Sequence, residues 1–265
     1  MTGLSPGGLA PKGSPTVQLP PQDLGSLSVP ELRAQLLAGS GLPGPRANLA
    51  LVDRCAAEVD LVTLTDLSED ADEYLAMCGT AGVGRATAST AVGSDDLAAL
   101  LDILTERARD DRWRVREAVA RGLQLAADVV QQAGAPGTIA VADPSSPVAA
   151  VISTWAASDD PLLTRAVLAT VCEPRLLRAP EAAAVALDAC GRATRLFVAA
   201  DAATRRTAPW ASLRKTLEYA WSVAVAADPG AGLPVFRALE DDPSPVVRSL
   251  AQKNLTRARL ATILG

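Results

Sequence analysis

Between Asp95 and Arg107 the leucines fall at positions 97, 100, 101 and 104, the i, i+3, i+4, i+7 spacing of a single helical face. After the acidic pair Asp110–Asp111 the rhythm resumes, with Val115, Val119, Leu123 and Ala126 on one face of a second helix. The stretch VAAVISTWAAS before DDPLLTRAVLATVC, and GLPVFRAL before DDPSPVVRSLAQKNL, follow the same plan. Each is an apolar helix, an acidic break, then another helix. Upstream, Ser28 as N-cap, Pro30 in the first turn and Glu31 three residues after the cap predict a helix start. A second helix is expected to open near Pro45 and run through NLALVDRCAAEV, and Gly134, Pro136 and Gly137 begin a loop lasting to Pro147. Residues 1–27, loaded with Pro, Gly and Ser, bury too little apolar surface to offset their ordering entropy. They are expected to form a disordered tail, leaving 28–265 as one helical domain.

The pattern also repeats over longer distances. Asp110–Ala120, Ser158–Ala169, Ala208–Ala220 and Asp241–Ala251 align as a polar turn, a hydrophobe, an arginine and then small apolar residues. Their arginines, Arg116, Arg165, Arg214 and Arg248, lie 49, 49 and 34 residues apart, and GTAGVGRATA around Arg85 offers a fifth segment. A helix pair cannot bury its apolar face alone, so repeated pairs are expected to stack and share a core. In such a stack the Asp serves as N-cap and Pro fits the first turn. The repeated Arg is expected to meet a turn of an adjacent pair. For Arg116 the expected partners are Asp110 or Asp111, and for Arg165 they are Asp159 or Asp160.

Composition sharpens this picture. Apolar residues make up 49% of the 265 but aromatics only 3%, so the apolar share is mostly small, helix-favouring alanine. The chain has no histidine, which removes Ser-His and Cys-His nucleophiles, His-containing zinc sites and the usual proton shuttle near neutrality. Cys55, Cys78, Cys172 and Cys190 form no C-x-x-C pair and read as small buried hydrophobes in a reducing compartment. The sequence predicts no metal site, no cofactor, no signal peptide and no membrane span, and therefore a cytoplasmic protein.

The segments DDRWRVREAVARGL and DDPSPVVRSLAQKNL resemble the second-helix signature of HEAT repeats, D-x-x-x-V-R-x-x-A-x-x-A-L, whereas DDPLLTRAVLA and WASLRKTLEYA are looser matches without the valine. The resemblance covers roughly residues 69–265, with two preceding helices as a capping pair. More narrowly, EYLAMCG, WRVREAVARGLQ, CEPRLL and LEYAWSVAVAADP are similar to a set of actinobacterial HEAT-repeat proteins. The resemblance implies an all-α solenoid of about five helix pairs that presents a curved surface to other macromolecules. It also raises enzymes built on that scaffold. HEAT-type iron hydroxylases need His-Glu pairs, which this chain cannot supply, and nothing singles out the pigment pocket of HEAT-type bilin lyases. HEAT-like alkylpurine DNA glycosylases use a carboxylate and tryptophans in a basic groove. Of Trp113, Trp155, Trp210 and Trp221, Trp155 stands four residues before Asp159, so these two are the candidate pair for that chemistry. Against it, Trp113 and Trp210 sit at repeat turns, while Trp155 and Trp221 fall on apolar faces where they would fill core.

Charge divides the chain. Residues 1–173 carry 12 Lys+Arg against 22 Asp+Glu, and residues 174–265 carry 13 against 8, within an overall net charge of −5. Arg205, Arg206, Arg214 and Lys215 cluster, and the last helix is expected to carry Arg248, Lys253, Arg257 and Arg259. These eight residues are the candidate interaction surface. The sequence therefore predicts a non-catalytic scaffold with a protein partner, with nucleic acid docked on the basic C-terminal half as the alternative.

Overall fold

The computed structural model describes residues 23–89, 93–134 and 138–264, and among them all regular structure is helical. A short 3-10 turn, Leu24–Ser26, precedes α1 (Val29–Gly39) and α2 (Leu49–Glu58). Five helix pairs follow. They are α3 (Leu61–Ser68) with α4 (Glu73–Ala86), α5 (Ser94–Ala108) with α6 (Trp113–Ala133), α7 (Pro147–Ala156) with α8 (Pro161–Val171), α9 (Pro180–Ala199) with α10 (Ala208–Ala227), and α11 (Pro229–Glu240) with α12 (Pro245–Leu255). The chain closes with α13 (Ala258–Leu264).

Local chemistry fixes the helix starts. Ser28 and Glu31 form a reciprocal capping box, with the Ser28 amide donating to Glu31 Oε2 at 3.0 Å. Asp60, Asp72, Asp160 and Asp228 each accept amides from the first turn of their own helix, and Pro opens α8, α9, α11 and α12. Within each pair the odd helix packs on the even one that follows it. The even helices in turn pack successively, α4 on α6, α6 on α8, α8 on α10 and α10 on α12.

The core has two parts that meet at the α4–α6 crossing. One gathers Leu24, Leu36, Val52, Leu75 and Ala81 with Ala118, and the other runs from Val83 and Val119 to Phe236 and Leu260. At the crossing the backbones nearly touch. A Cβ on Gly84 would lie 2.7 Å from Gly122 Cα, and one on Gly122 would lie 2.7 Å from the Ala81 carbonyl oxygen. Only glycine at both positions permits that approach.

Four expectations need correction. The tail was expected to reach Leu27, and residues 1–22 lie outside the described ones. Leu24, however, is 1% exposed and its amide donates to Glu58 Oε2 at 3.0 Å, so 23–27 belong to the folded body. The second helix begins at Leu49 rather than near Pro45, because the Asn48 side chain accepts the Leu51 amide and caps it. The basic C-terminal helix is two helices, since the chain turns at Thr256 and Arg257 between α12 and α13. Finally, Arg85 stands in the last turn of α4, not the first, so its segment is out of register with the other four. Of the expected interior loop, Gly134 ends α6 and Pro147 opens α7 as read, while Pro136 and Gly137 lie outside the described residues.

Candidate functional site

Two clefts that share Glu117 and Tyr219 open along the even helices. The first, of about 480 Å³, is walled by Trp113, Arg116 and Glu117 of α6, Arg165 of α8, and Ala211, Lys215 and Tyr219 of α10, among others. The second, of about 400 Å³, continues past Glu117 and Tyr219 to Arg121 and Gln124 of α6, Cys172 and Glu173 beyond α8, and Arg259 of α13.

The repeated arginines organise these walls, though not uniformly. Arg116 Nη1 donates to the carbonyls of Asp110 and Asp111, six and five residues back. Arg248 Nη1 reaches the carbonyls of Asp242 and Pro243 at 2.6 and 2.8 Å, again six and five residues back. Each therefore ties down the turn before its own helix rather than that of a neighbour. Arg165 does cross between pairs, but not to Asp159 or Asp160. It donates to the Arg116 carbonyl at 3.1 Å and to the Glu117 carboxylate, because its side chain points back along the even-helix row. Arg214 sits a turn deeper and exposed, pairing with Glu218 at 3.0 Å along its own helix.

Other side chains supply the links between pairs. Arg112 Nη1 donates to the Asp70 carbonyl at 2.7 Å, Arg114 pairs with Glu73 at 2.8 Å, and Arg121 holds Asp53 through Nε at 2.8 Å. Gln124 Nε2 reaches the Ala169 carbonyl at 2.9 Å, and Asn254 accepts the Ser222 amide at 2.9 Å while donating to the Leu217 carbonyl at 2.8 Å. The repeat alignment could not single these out, because they recur at no fixed position in it.

Burial tunes several groups. Desolvation, followed by the nearby charge of Arg165, lowers the basicity of the Arg116 guanidinium. Burial pushes the Tyr219 phenol up to about 12, with the Glu117 carboxylate adding to the effect. All four cysteines are buried and free, as their sequence context implied. Cys172 and Cys190 approach to 3.8 Å between sulfurs, and burial pushes the Cys190 thiol up.

The eight basic candidates separate into four places. Arg205, Arg206 and Arg214 line a small cleft against Pro245, Val246 and Ser249 of α12, in which Arg205 also donates to the Val198 and Ala200 carbonyls at 3.1 and 2.6 Å. Lys215 faces the first even-helix cleft, and Arg259 the second. Arg248, Lys253 and Arg257 are exposed. They make no single track.

The tryptophan–aspartate pair is not assembled as a site. Trp155 is 5% exposed within the core, whereas Asp159 is exposed in the turn before α8. Trp221 is fully buried, its Nε1 donating to Thr194 Oγ1 at 3.0 Å, and Trp210 packs against Phe197. Trp113 is 53% exposed at the mouth of the first cleft, with the Arg114 guanidinium 4.5 Å from its ring centre.

Among the described residues no cluster of His, Cys, Asp or Glu could hold a metal ion, and no helix is long and apolar enough to cross a membrane. The chain matches no protein-family model, no curated protein and no solved structure.

Proposed function

We propose that this chain is a HEAT-type helical solenoid acting as a non-catalytic scaffold, and that it receives a protein partner along its row of even helices. The observation that carries this reading is the arrangement of those helices. Each is backed by an odd helix, and the row is lined by two connected clefts of mixed charge. Stacked pairs with one common face are how solenoids build extended binding surfaces. The recurring contact of Arg116 and Arg248 with carbonyls five and six residues back supports a shared repeat unit. A base-excising enzyme would need its aromatic platform open to the flipped base, and the buried position of Trp155 argues against that alternative.

Two measurements test the scaffold reading against nucleic acid. Fluorescence anisotropy with a short labelled DNA duplex should show no binding at about 50 mM salt, whereas phosphate contacts would give affinity that collapses as salt rises. Cross-linking of a captured partner should place contacts on α6, α8 and α10. Steeply salt-dependent DNA binding, or cross-links confined to the odd helices, would overturn the proposal.

A further inference from the structure

The first cleft carries more positive charge than its walls can use. Arg116, Arg165 and Lys215 all face it, and the one carboxylate among its lining residues, Glu117, is already engaged by Arg165. Arg165 is 5% exposed, so a cation has been drawn almost wholly out of water beside a second guanidinium. Desolvation and that proximity both work against the charge on Arg116. Lys215 is exposed and forms no ion pair among the described residues. An incoming carboxylate would therefore relieve an existing imbalance rather than create one.

The rest of the cleft indicates the form of the ligand. Trp113 stands half exposed at its mouth, and tryptophan beside arginine at a cleft edge is the composition of interface anchors. Tyr219, Ser212 and Thr216 add hydroxyls to the wall opposite α6. A nucleic-acid backbone needs a continuous line of cations. Here the run is interrupted by Glu117, shared by both clefts, and by Glu173 of the second, and the exposed Asp111 lies in the turn just before Trp113. The chain's first 22 residues contain one lysine and no acid, so they do not complement it.

We propose that the cleft between α6 and α10, walled by Trp113, Arg116, Arg165, Lys215 and Tyr219, binds an acidic peptide segment of a partner protein. A carboxylate would meet Lys215 and Arg116 while an apolar neighbour covers the Trp113 ring. The proposal rests on the scaffold reading above and gives its partner a chemistry.

The test uses the full chain and a short fluorescein-labelled peptide alternating Glu or Asp with Leu. A Lys-Leu peptide and a short DNA duplex serve as comparisons. The acidic peptide should bind at low salt, and Lys215→Glu and Trp113→Ala should each weaken it by about tenfold or more. Arg237→Glu, exposed on α11 and outside both clefts, should leave it unchanged. Lys215 and Trp113 are exposed, and unchanged circular dichroism will show that both variants fold. Absence of binding, equal loss in Arg237→Glu, equal binding of the basic peptide, or displacement by duplex DNA would overturn the proposal. If the peptide fails while a captured partner still cross-links to the even helices, only the acidic chemistry falls. If the cross-links lie elsewhere, the scaffold reading falls with it.

Discussion

Replacing Glu117 by methionine tests how the even helices are tied together. Arg165 is the one charged residue among the described residues that is almost wholly buried, and its guanidinium is covered by the Glu117 carboxylate. Methionine keeps that cover but removes the counter-charge, leaving Arg165 with the Arg116 carbonyl and the repulsion of Arg116. Breaking a buried pair from one side costs about 3–5 kcal/mol. Glu117 is 45% exposed at its side chain, so the low end applies, about 3 kcal/mol. In a domain of this size each kcal/mol moves the melting temperature by about 2–4 °C, which gives a fall of about 6–12 °C. Glu117→Gln, which keeps an acceptor, should cost about 1 kcal/mol. The double variant Glu117→Met with Arg165→Met removes both charges at similar volume and should return to within about 1 kcal/mol of the parent. Thermal unfolding followed by circular dichroism at pH 7 measures all four proteins. If Glu117→Met melts with the parent, or the double variant loses the sum of its parts, Arg165 is not a buried tie between α6 and α8.

Gly84→Val should separate α4 from α6 and cost about 1–3 kcal/mol, read as a lower urea midpoint at unchanged slope. Asn254→Leu leaves the Ser222 amide and the Leu217 carbonyl without their cross-helix partner and should cost about 2 kcal/mol, while Arg257→Ala on the exposed terminus should cost under about 1 kcal/mol. The Arg112 guanidinium holds the Asp110 carboxyl below its ordinary value, so its stabilisation is complete above the unfolded pKa of about 3.9 and is lost as pH falls from there towards the folded value. Asp110→Asn should therefore flatten the acid side of the stability profile, and an unchanged slope below about pH 4 would refute the link. The chain has two tyrosines, and burial holds Tyr219 at about 12 and pushes Tyr74 up as well. Absorbance at about 295 nm should show almost no tyrosinate in the folded protein at about pH 10.5 and about three quarters of the full signal in urea.

What could be read from the sequence followed local physics. The capping box at Ser28, the Asp160 cap and the apolar stripe Val115, Val119 and Leu123 depend on residues within a turn or two of one another, and all are in place. The short α3, LVTLTDLS, leaves no signal in the pattern, because eight residues give a helical period little room to declare itself. The break at Thr256 is silent in the sequence because neither Gly nor Pro marks it. At the candidate site the arginines were legible, and so was the Asp110–Asp111 turn that Arg116 meets, but the partners of Arg165 were not. Arg116 and Arg165 occupy matching positions in the repeat alignment, yet one turns to its own loop and the other crosses to α6. Which carbonyl or carboxylate a long side chain meets is set by how neighbouring helices stack. Trp113 stayed ambiguous for the same reason, since a repeat-turn position does not say whether the ring is covered.

The direction of the polar links has a consequence for how the chain is made. Arg107 donates to the Ser68 carbonyl, Arg112 to that of Asp70, Arg114 to Glu73, Arg121 to Asp53, Arg165 to Glu117, Arg175 to Asp128 and Asn254 to the Leu217 carbonyl. In each, the later residue reaches back to an acceptor made earlier. A chain synthesised from its N-terminus therefore offers α5, α6, α8 and α12 an acceptor that already exists when each emerges. Some links run the other way: Arg33 pairs with the later Asp70 and the Ser222 amide with the later Asn254, while Gln124, whose acceptor is the Ala169 carbonyl, and Arg109, which pairs with Asp160, must wait for α8. Translation that stalled inside α7 would leave those two side chains, on an otherwise assembled surface, without their partners.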